Sequence, residues 1–319
     1  MLKNIGVIGT GWISTEFVTQ IDQNKYTIHS IYNRNPKSLE RFLTEQQITN
    51  GFTDYDAFLA QPDLDVVYIG SPNQTHYEYA LRALKAGKHV LCEKVMVLTG
   101  AEAHELFNLA EEKQLILLEA VSLFYMPLYT KVQELLADGV LGKLSGVNVS
   151  FGSCKEYDPE NRFFSKDKGG GALFDIGPYG LSAAVYLLGT DIKLVASDVV
   201  MAESGVDEKS STILKTSTGE LASVMLSFRG KMPKQIILSG DLGYLVIDDF
   251  PRATNGVIYL NDGQIIEISE GNAQDVFTYE MDHMNTLYQG DSLIVDHRQV
   301  TNRVIHLMDE MRQEWGWTL

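Results

Sequence analysis

The sequence predicts an α/β chain: a doubly wound parallel sheet in its first part, then an α/β domain on a mostly antiparallel open sheet. Three observations predict it. Short β-rich apolar runs alternate with helical runs to about residue 120. A glycine turn, Gly9-Thr10-Gly11-Trp12-Ile13-Ser14, joins the first strand to the first helix. Beyond Pro127 the alternation gives way to strand after strand, punctuated by Gly219, Gly243 and Asp262-Gly263 as hairpin turns. A chain of 319 residues fits about two domains, placed here at 1–122 for dinucleotide binding and 123–319 for substrate binding and dimerisation.

Residues 3–8 form the first strand, and a helix runs from about 15 to 22. A tight glycine turn between a strand and a helix N-terminus binds a pyrophosphate through free N–H groups and the helix dipole. The motif reads G-x-G-x-x-S, with Ser14 small enough for close helix–strand packing, in the Rossmann context that such a fingerprint requires. The second strand, 26–32, ends at Asn33-Arg34-Asn35-Pro36 without the acidic residue that binds ribose hydroxyls in NAD-specific sites. Arg34 reads either as a partner for a 2′-phosphate or as a solvated surface arginine; NADP(H) is favoured over NAD(H). The strand at 65–70 runs into Ser71-Pro72-Asn73-Gln74-Thr75-His76, small residues that let the chain pass close to a dinucleotide. Asn73 and His76 offer polar groups there, or Asn73 or Thr75 caps the next helix. That helix, 76–86, stops at Gly87. A strand at 89–93 delivers Glu93 and Lys94, a helix follows at 101–113, and a strand at 115–120. Lys94 reads as a surface lysine when taken alone. Taken with the glycine turn and Tyr179 it becomes a donor to the nicotinamide ribose that lowers a nearby phenol's pKa.

A helix at about 128–138 opens the second half, and a strand at 143–152 follows it. Residues 157–168 form a polar loop, either a lid or a solvated connection. Then comes Gly169-Gly170-Gly171-Ala172-Leu173-Phe174-Asp175-Ile176-Gly177-Pro178-Tyr179. The glycines allow close backbone approach. If the segment is one helix, Asp175 and Tyr179 share a face; alternatively Gly177-Pro178 marks a break, with Pro178 opening the next helix. Strands are expected at about 194–202, 210–217, 220–228, 235–240, 243–248, 256–260 and 264–269, and closing helices at 278–289 and 292–313.

Composition narrows the function. The net charge of −16 argues against nucleic acid or an anionic membrane as partner. The apolar stretch 115–128 is interrupted by Glu119 and stopped by Pro127, too short and broken to span a bilayer. The two cysteines, Cys92 and Cys154, have neither metal spacing nor a disulfide framework, and the seven histidines follow no zinc pattern, so no metal is expected. The glycine turn is reached by residue 9 and nothing before it resembles a signal peptide. A cytoplasmic enzyme is expected.

The glycine turn, Pro72-Asn73-x-x-His76, the run Ala86 to Lys94, and Gly170-Gly171-x-x-x-Asp175-x-Gly177-x-Tyr179 together resemble the glucose–fructose oxidoreductase/inositol dehydrogenase/rhizopine catabolism (Gfo/Idh/MocA) family, essentially end to end. Tyr179 and Leu118-Glu119-Ala120 are most similar to the branch with dimeric dihydrodiol dehydrogenases, D-xylose dehydrogenases and glucose–fructose oxidoreductase. The resemblance implies hydride transfer between a nicotinamide and a sugar, polyol or diol. It implies Lys94, Asp175 and Tyr179 as the catalytic group, and a homodimer through the C-terminal sheet. The implied cofactor contacts are Gly9, Thr10, Gly11, Trp12, Ile13, Asn33, Arg34, Ser71, Pro72, Asn73, His76, Glu93 and Lys94. Two departures stand out. Val95 replaces the proline usual after Glu-Lys, leaving the turn less well fixed or the same bend kept at a cost. Ser122-Leu123-Phe124 replaces the Trp-Thr-Arg of dihydrodiol dehydrogenases, which sets the aromatic diol in doubt. The alternative reading is a catalytically inactive nucleotide-binding regulator of the same fold.

Overall fold

The structure is a computed structural model that describes residues 1–290 and 297–318. Its contacts divide the chain into two compact units, Met1–Ala120 with Gln274–Arg298, and Val121–Ala273 with Gln299–Leu319.

The first unit holds β1 (Asn4–Ile8), α1 (Trp12–Gln20), β2 (Thr27–Tyr32), α2 (Pro36–Gln46), β3 (Gly51–Phe52), α3 (Tyr55–Leu59), β4 (Val66–Ile69), α4 (His76–Lys85), β5 (His89–Glu93), α5 (Gly100–Glu112) and β6 (Leu117–Ala120). The six strands are all parallel, in the order β3-β2-β1-β4-β5-β6. The central strands are buried because both faces are covered: every residue of β4 and β6 is buried, Glu119 of β6 included. Residues 37–64, unassigned in the sequence reading, supply α2, β3 and α3. Asn35 caps α2 by accepting the Ser38 N–H, and Asp54 caps α3 through the Asp56 N–H. In this strand order β1 and β4 are neighbours whose onward connections lead in opposite directions, β1 to β2 and β4 to β5, and ligands of such sheets bind in the crevice outside the carboxyl ends at that point.

The second unit holds α6 (Pro127–Ala137), β7 (Leu144–Gly152), α7 (Ala172–Asp175), α8 (Gly177–Leu188), β8 (Lys193–Met201), β9 (Asp207–Lys215), β10 (Leu221–Ser227), β11 (Met232–Gly240), β12 (Gly243–Asp248), β13 (Asn255–Leu260) and β14 (Ile265–Ser269). Its eight strands run β14-β13-β12-β11-β7-β10-β9-β8. All neighbours are antiparallel except β7 and β10, which pair in parallel at the centre. α8 packs on β7 and β10. Gly177 and Gly180 permit that approach: a Cβ on Gly180 would lie 3.0 Å from Val224 and 3.1 Å from Leu226. Val224 and Leu226 face this core, whereas Leu221 and Met225 on the opposite face of β10 are 51% and 47% exposed.

The partition differs from the single boundary expected near residue 122. Helix α9 (Val276–Tyr288) belongs with the first unit. The reason is packing: Phe277 meets Phe17 edge-on at 5.3 Å, Asn285 bonds both backbone atoms of Leu2, and Asp282 accepts the Tyr26 hydroxyl. Helical periodicity shows that α9 has an apolar face but not which sheet receives it. The closing helix is α10 (Arg298–Glu314); the expected start at 292 lies outside the described residues.

Candidate active site

Because the strands of the first unit are parallel, Gly9, Asn33, Gly70, Ser71 and Lys94 all emerge at one edge of the sheet, after β1, β2, β4 and β5. Gly9 has φ +98°, and a Cβ there would lie 2.7 Å from the Gly70 carbonyl oxygen. Only glycine fits this turn. Gly11 is different: it has ordinary φ and open space where a Cβ would be, so its backbone is free to meet a ligand. It is the N-cap of α1, and no side chain caps that helix. The helix starts at Trp12 rather than near Thr15 as expected, so Trp12, Ile13 and Ser14 form its first turn, whose N–H groups lack helical partners. Ser14 takes the place of the third fingerprint glycine: it is fully buried, and a Cβ on Gly70 would fall 2.6 Å from its hydroxyl. This cradle fits a pyrophosphate by geometry and by dipole.

Asn33 donates to Thr10 Oγ1 at 2.6 Å and accepts the Asn35 N–H at 2.9 Å, so it ties the glycine turn to the end of β2. Arg34 beside it is exposed and, among the described residues, makes no ion pair. The loop after β4 is a single 3-10 turn, Asn73–Thr75. Thr75 does not cap α4; its hydroxyl turns back to the Pro72 carbonyl and to Ser71 Oγ, each at 2.7 Å. Ser71 and Asn73 are half-buried and Pro72 is exposed. His76 is fully buried, with Nδ1 2.8 Å from the Val95 carbonyl oxygen and Nε2 2.7 Å from that of Ser71. Both neighbours are carbonyl acceptors, and burial holds the imidazole pKa below its usual value, so the neutral ring donates to one of the two at a time, according to its tautomer. The ring links the loops after β4 and β5.

Glu93 is buried and accepts the Tyr68 hydroxyl at 2.7 Å. Lys94 is half-buried, and the Lys94–Val95 peptide is cis. The next peptide is held from β6: Glu119, 3% exposed, accepts the Met96 N–H at 2.9 Å. Sequence reading takes Glu119 as an interruption of an apolar run and as part of the Leu118-Glu119-Ala120 resemblance, and gives it no role in the site. A lone carboxylate inside such a run was the available signal, since buried charges are held by specific partners.

In the second unit Asp175 ends α7 and Tyr179 lies in the first turn of α8. The chain breaks at Ile176, and Pro178 occupies the start of α8; of the two readings of this segment, the break is the one observed. Asp175 is largely covered, 3.8 Å from the exposed Arg162 guanidinium. Tyr179 is half-buried against Phe151, with ring centres 6.1 Å apart. Phe151 is buried and also meets Phe250 edge-on; Phe164 is buried against Phe228 and Tyr157; Phe163 is half-exposed, with Lys155 and Arg162 over its ring. These contacts pin the expected polar loop at both ends of its aromatic pair.

Asp207 went unnoticed in the sequence. It is fully buried, accepts the Leu173 N–H at 2.8 Å, and lies where a Cβ on Gly171 would reach within 2.2 Å. It anchors the start of α7, which requires glycine at 171. Burial pushes its carboxyl up to about 7.

The comparisons with known proteins cover both units. Residues 3–121 match the model of the Gfo/Idh/MocA oxidoreductase family with NAD-binding Rossmann fold, and 129–246 match a Gfo/Idh/MocA C-terminal domain. A trans-1,2-dihydrobenzene-1,2-diol dehydrogenase of Xenopus laevis is 30% identical over 81% of this chain and 79% of its own. A scyllo-inositol 2-dehydrogenase (NADP(+)) of Bacillus subtilis is 27% identical over 97% of this chain and 96% of its own. Among solved structures, a 3-ketoreductase from Actinomadura kijaniata in complex with NADP and TDP-benzene superposes with a TM-score of 0.86 at 25% identity, covering 98% of both chains. With a glycine cradle at the β1/β4 edge, the Glu93-Lys94 turn, and matches to both domain models, the chain belongs to the Gfo/Idh/MocA family of oxidoreductases.

Proposed function

We propose that this oxidoreductase moves hydride between NADP(H) and a secondary alcohol or carbonyl of a sugar, polyol or diol, with Lys94, Asp175 and Tyr179 as its catalytic group. The observation that carries the reading is the uncapped start of α1 behind Gly11, open to a pyrophosphate, in a chain that keeps both Lys94 and Tyr179. When bound, the nicotinamide supplies the hydride acceptor or donor. The chain supplies alignment and proton transfer. Gly9, Thr10, Gly11, Trp12 and Ile13 hold the pyrophosphate. Thr10 accepts from Asn33, which leaves its own hydroxyl proton for a phosphate oxygen. Asn33 and Arg34 take the adenosine ribose, with Arg34 paired to a 2′-phosphate. Ser71, Pro72 and Asn73 line the dinucleotide path, and His76 supports that loop from within. Glu93 and Lys94 serve the nicotinamide ribose.

Oxidising an alcohol requires a base for its O–H proton. Tyr179 is that base, and the Lys94 charge favours its phenolate. In the reductive direction Tyr179 returns the proton. Asp175 accepts a substrate hydroxyl, with Arg162 setting its orientation. The dehydrogenase and reductase names of the relatives support this reading, and the two departures, at Val95 and at 122–124, find no support there as marks of an inactive regulator. A cytoplasmic setting is proposed from the two free thiols and the charge.

The test is a turnover panel of aldoses, inositols and trans-diols with both nicotinamides, followed by Tyr179→Phe on the best substrate. Removing the hydroxyl is expected to lower turnover by roughly 10²–10⁴-fold while cofactor affinity holds. Tight NADP(H) binding with no turnover of any alcohol or carbonyl would instead support the regulator.

A further inference from the structure

Residues 94–98 lie between β5 and α5, outside any helix or strand. Val95 and Met96 are nonetheless 1% and 0% exposed, so the polar atoms of their peptides need partners inside the protein. Two ionisable side chains from different elements reach them. His76, the first residue of α4, approaches the Val95 carbonyl oxygen at 2.8 Å. Glu119, in β6, accepts the Met96 N–H at 2.9 Å. The Cys92 thiol adds a weak contact to the Met96 carbonyl at 3.8 Å.

The choice of residues is informative. The other members of β6, Leu117, Leu118 and Ala120, are apolar and buried. A carboxylate among them is costly to desolvate, and a strand in this position needs none for its own packing. What Glu119 accomplishes is to fix the peptide one residue past Val95, while His76 fixes the peptide at Val95 itself. Between them the two side chains hold the backbone that leaves Lys94, Glu119 by an accepted N–H and His76 when its tautomer places the proton on Nδ1. We propose that Glu119, with His76 opposite it, is a positioning residue that aims the Lys94 ammonium. This rests on the proposed role of Lys94.

Three variants of the full chain test it: Glu119→Ala, Glu119→Gln and Lys94→Ala. Two readouts are taken. One is kcat and KM on the best substrate of the panel, with cofactor affinity. The other is the rate of Lys94 acylation by an amine reagent against pH, read by peptide mass spectrometry, which requires no turnover. Glu119→Ala is expected to lower kcat by about 10²-fold, as small misplacements of a catalytic group do, and to change the Lys94 acylation profile several-fold. Glu119→Gln keeps a carbonyl oxygen for the Met96 N–H and is expected to restore both. Wild-type kcat and profile in a folded Glu119→Ala would overturn the proposal, as would a Gln variant that fails like Ala in kcat with an unmoved Lys94 profile. If Glu119→Ala does not fold, His76→Gln takes its place: it gives up one of the two ring contacts, and an unmoved Lys94 profile then overturns the proposal. Lys94→Ala separates the two ideas. Full activity in Lys94→Ala ends the catalytic reading of Lys94, and the acylation arm still decides whether Glu119 aims it. An inactive Lys94→Ala beside a wild-type Glu119→Ala ends the positioning proposal alone.

Discussion

Arg34 and Asp207 show how differently single residues are disclosed. Arg34 was visible because a cation replaces an expected acid at the end of a strand, and a 2′-phosphate is the chemistry that exchange suits. Losing a charge-assisted hydrogen bond to a phosphate costs about 1.5–3 kcal/mol. Arg34→Ala is therefore expected to raise the NADPH dissociation constant about tenfold or more and to leave that of NADH within about threefold, as read by fluorescence titration. Equal wild-type affinities would remove the basis for an NADP(H) preference. Asp207 gave no such sign, since an aspartate followed by Glu208 and Lys209 looks solvated. Its burial under Gly171 and Leu173 keeps it protonated in the folded state up to about 7, whereas the unfolded chain ionises it from its ordinary value of 3.8. Its contribution to stability is then fully present below the unfolded value and is lost as pH rises through the folded one. Relative to Asp207→Asn, wild type is expected to lose roughly 4 kcal/mol of stability between pH 4 and about 7.5, measured by urea unfolding at a series of pH values. A pH-independent gap between the two would show that Asp207 ionises normally.

At the scale of elements, the turn between β1 and α1 separates two uses of glycine. Gly9 is needed for its positive φ and for the Gly70 carbonyl pressed against it. Gly11 is not needed by the fold, since nothing lies within 4 Å of its missing Cβ, and under the proposed function its use is close approach of the cofactor. Gly11→Ala is expected to keep stability within about 1 kcal/mol and to weaken cofactor binding. Gly9→Ala is expected to lose more than that in stability, because both the strained φ and the carbonyl clash act together. Thermal melts with and without NADPH distinguish the two; equal stability losses would refute the distinction. The break between α7 and α8 is a second case. Gly177-Pro178 carried the break legibly, because proline has no N–H to continue a helix and suits a first turn. Residues 47–64 were illegible by comparison: β3 is two residues long and α3 five, too short for periodicity to show, whereas α2, eleven residues that begin at Pro36 behind Asn35, carries a readable start that the sequence reading leaves unassigned.

At the scale of the molecule, the eight-stranded sheet leaves one face uncovered in a single chain. Ile213, Leu221, Met225, Tyr244 and Tyr259 stand on it at 36–51% exposure. A face with this much exposed apolar surface favours a second copy as cover. We expect light scattering to return the mass of two chains at micromolar concentration, and Met225→Glu with Ile213→Glu to return that of one chain with unchanged far-ultraviolet circular dichroism. A wild-type monomer would refute sheet-to-sheet pairing.

Local sequence was enough for the glycine-marked strand–turn–helix at residues 4–20, the parallel rhythm to residue 120, and the candidacy of Lys94, Asp175 and Tyr179, because glycine conformation, periodicity and side-chain chemistry are properties of a few adjacent residues. The folded chain alone supplies the partners that arrive from far along the sequence. Glu119 reaches Met96 across β5 and β6, Asp207 reaches Leu173 over 34 residues of sequence, and α9 returns to bond Leu2 from 283 residues away. Each buries a polar group whose desolvation is offset only by a partner that the folded chain brings within hydrogen-bond range, and no local pattern records which partner that is.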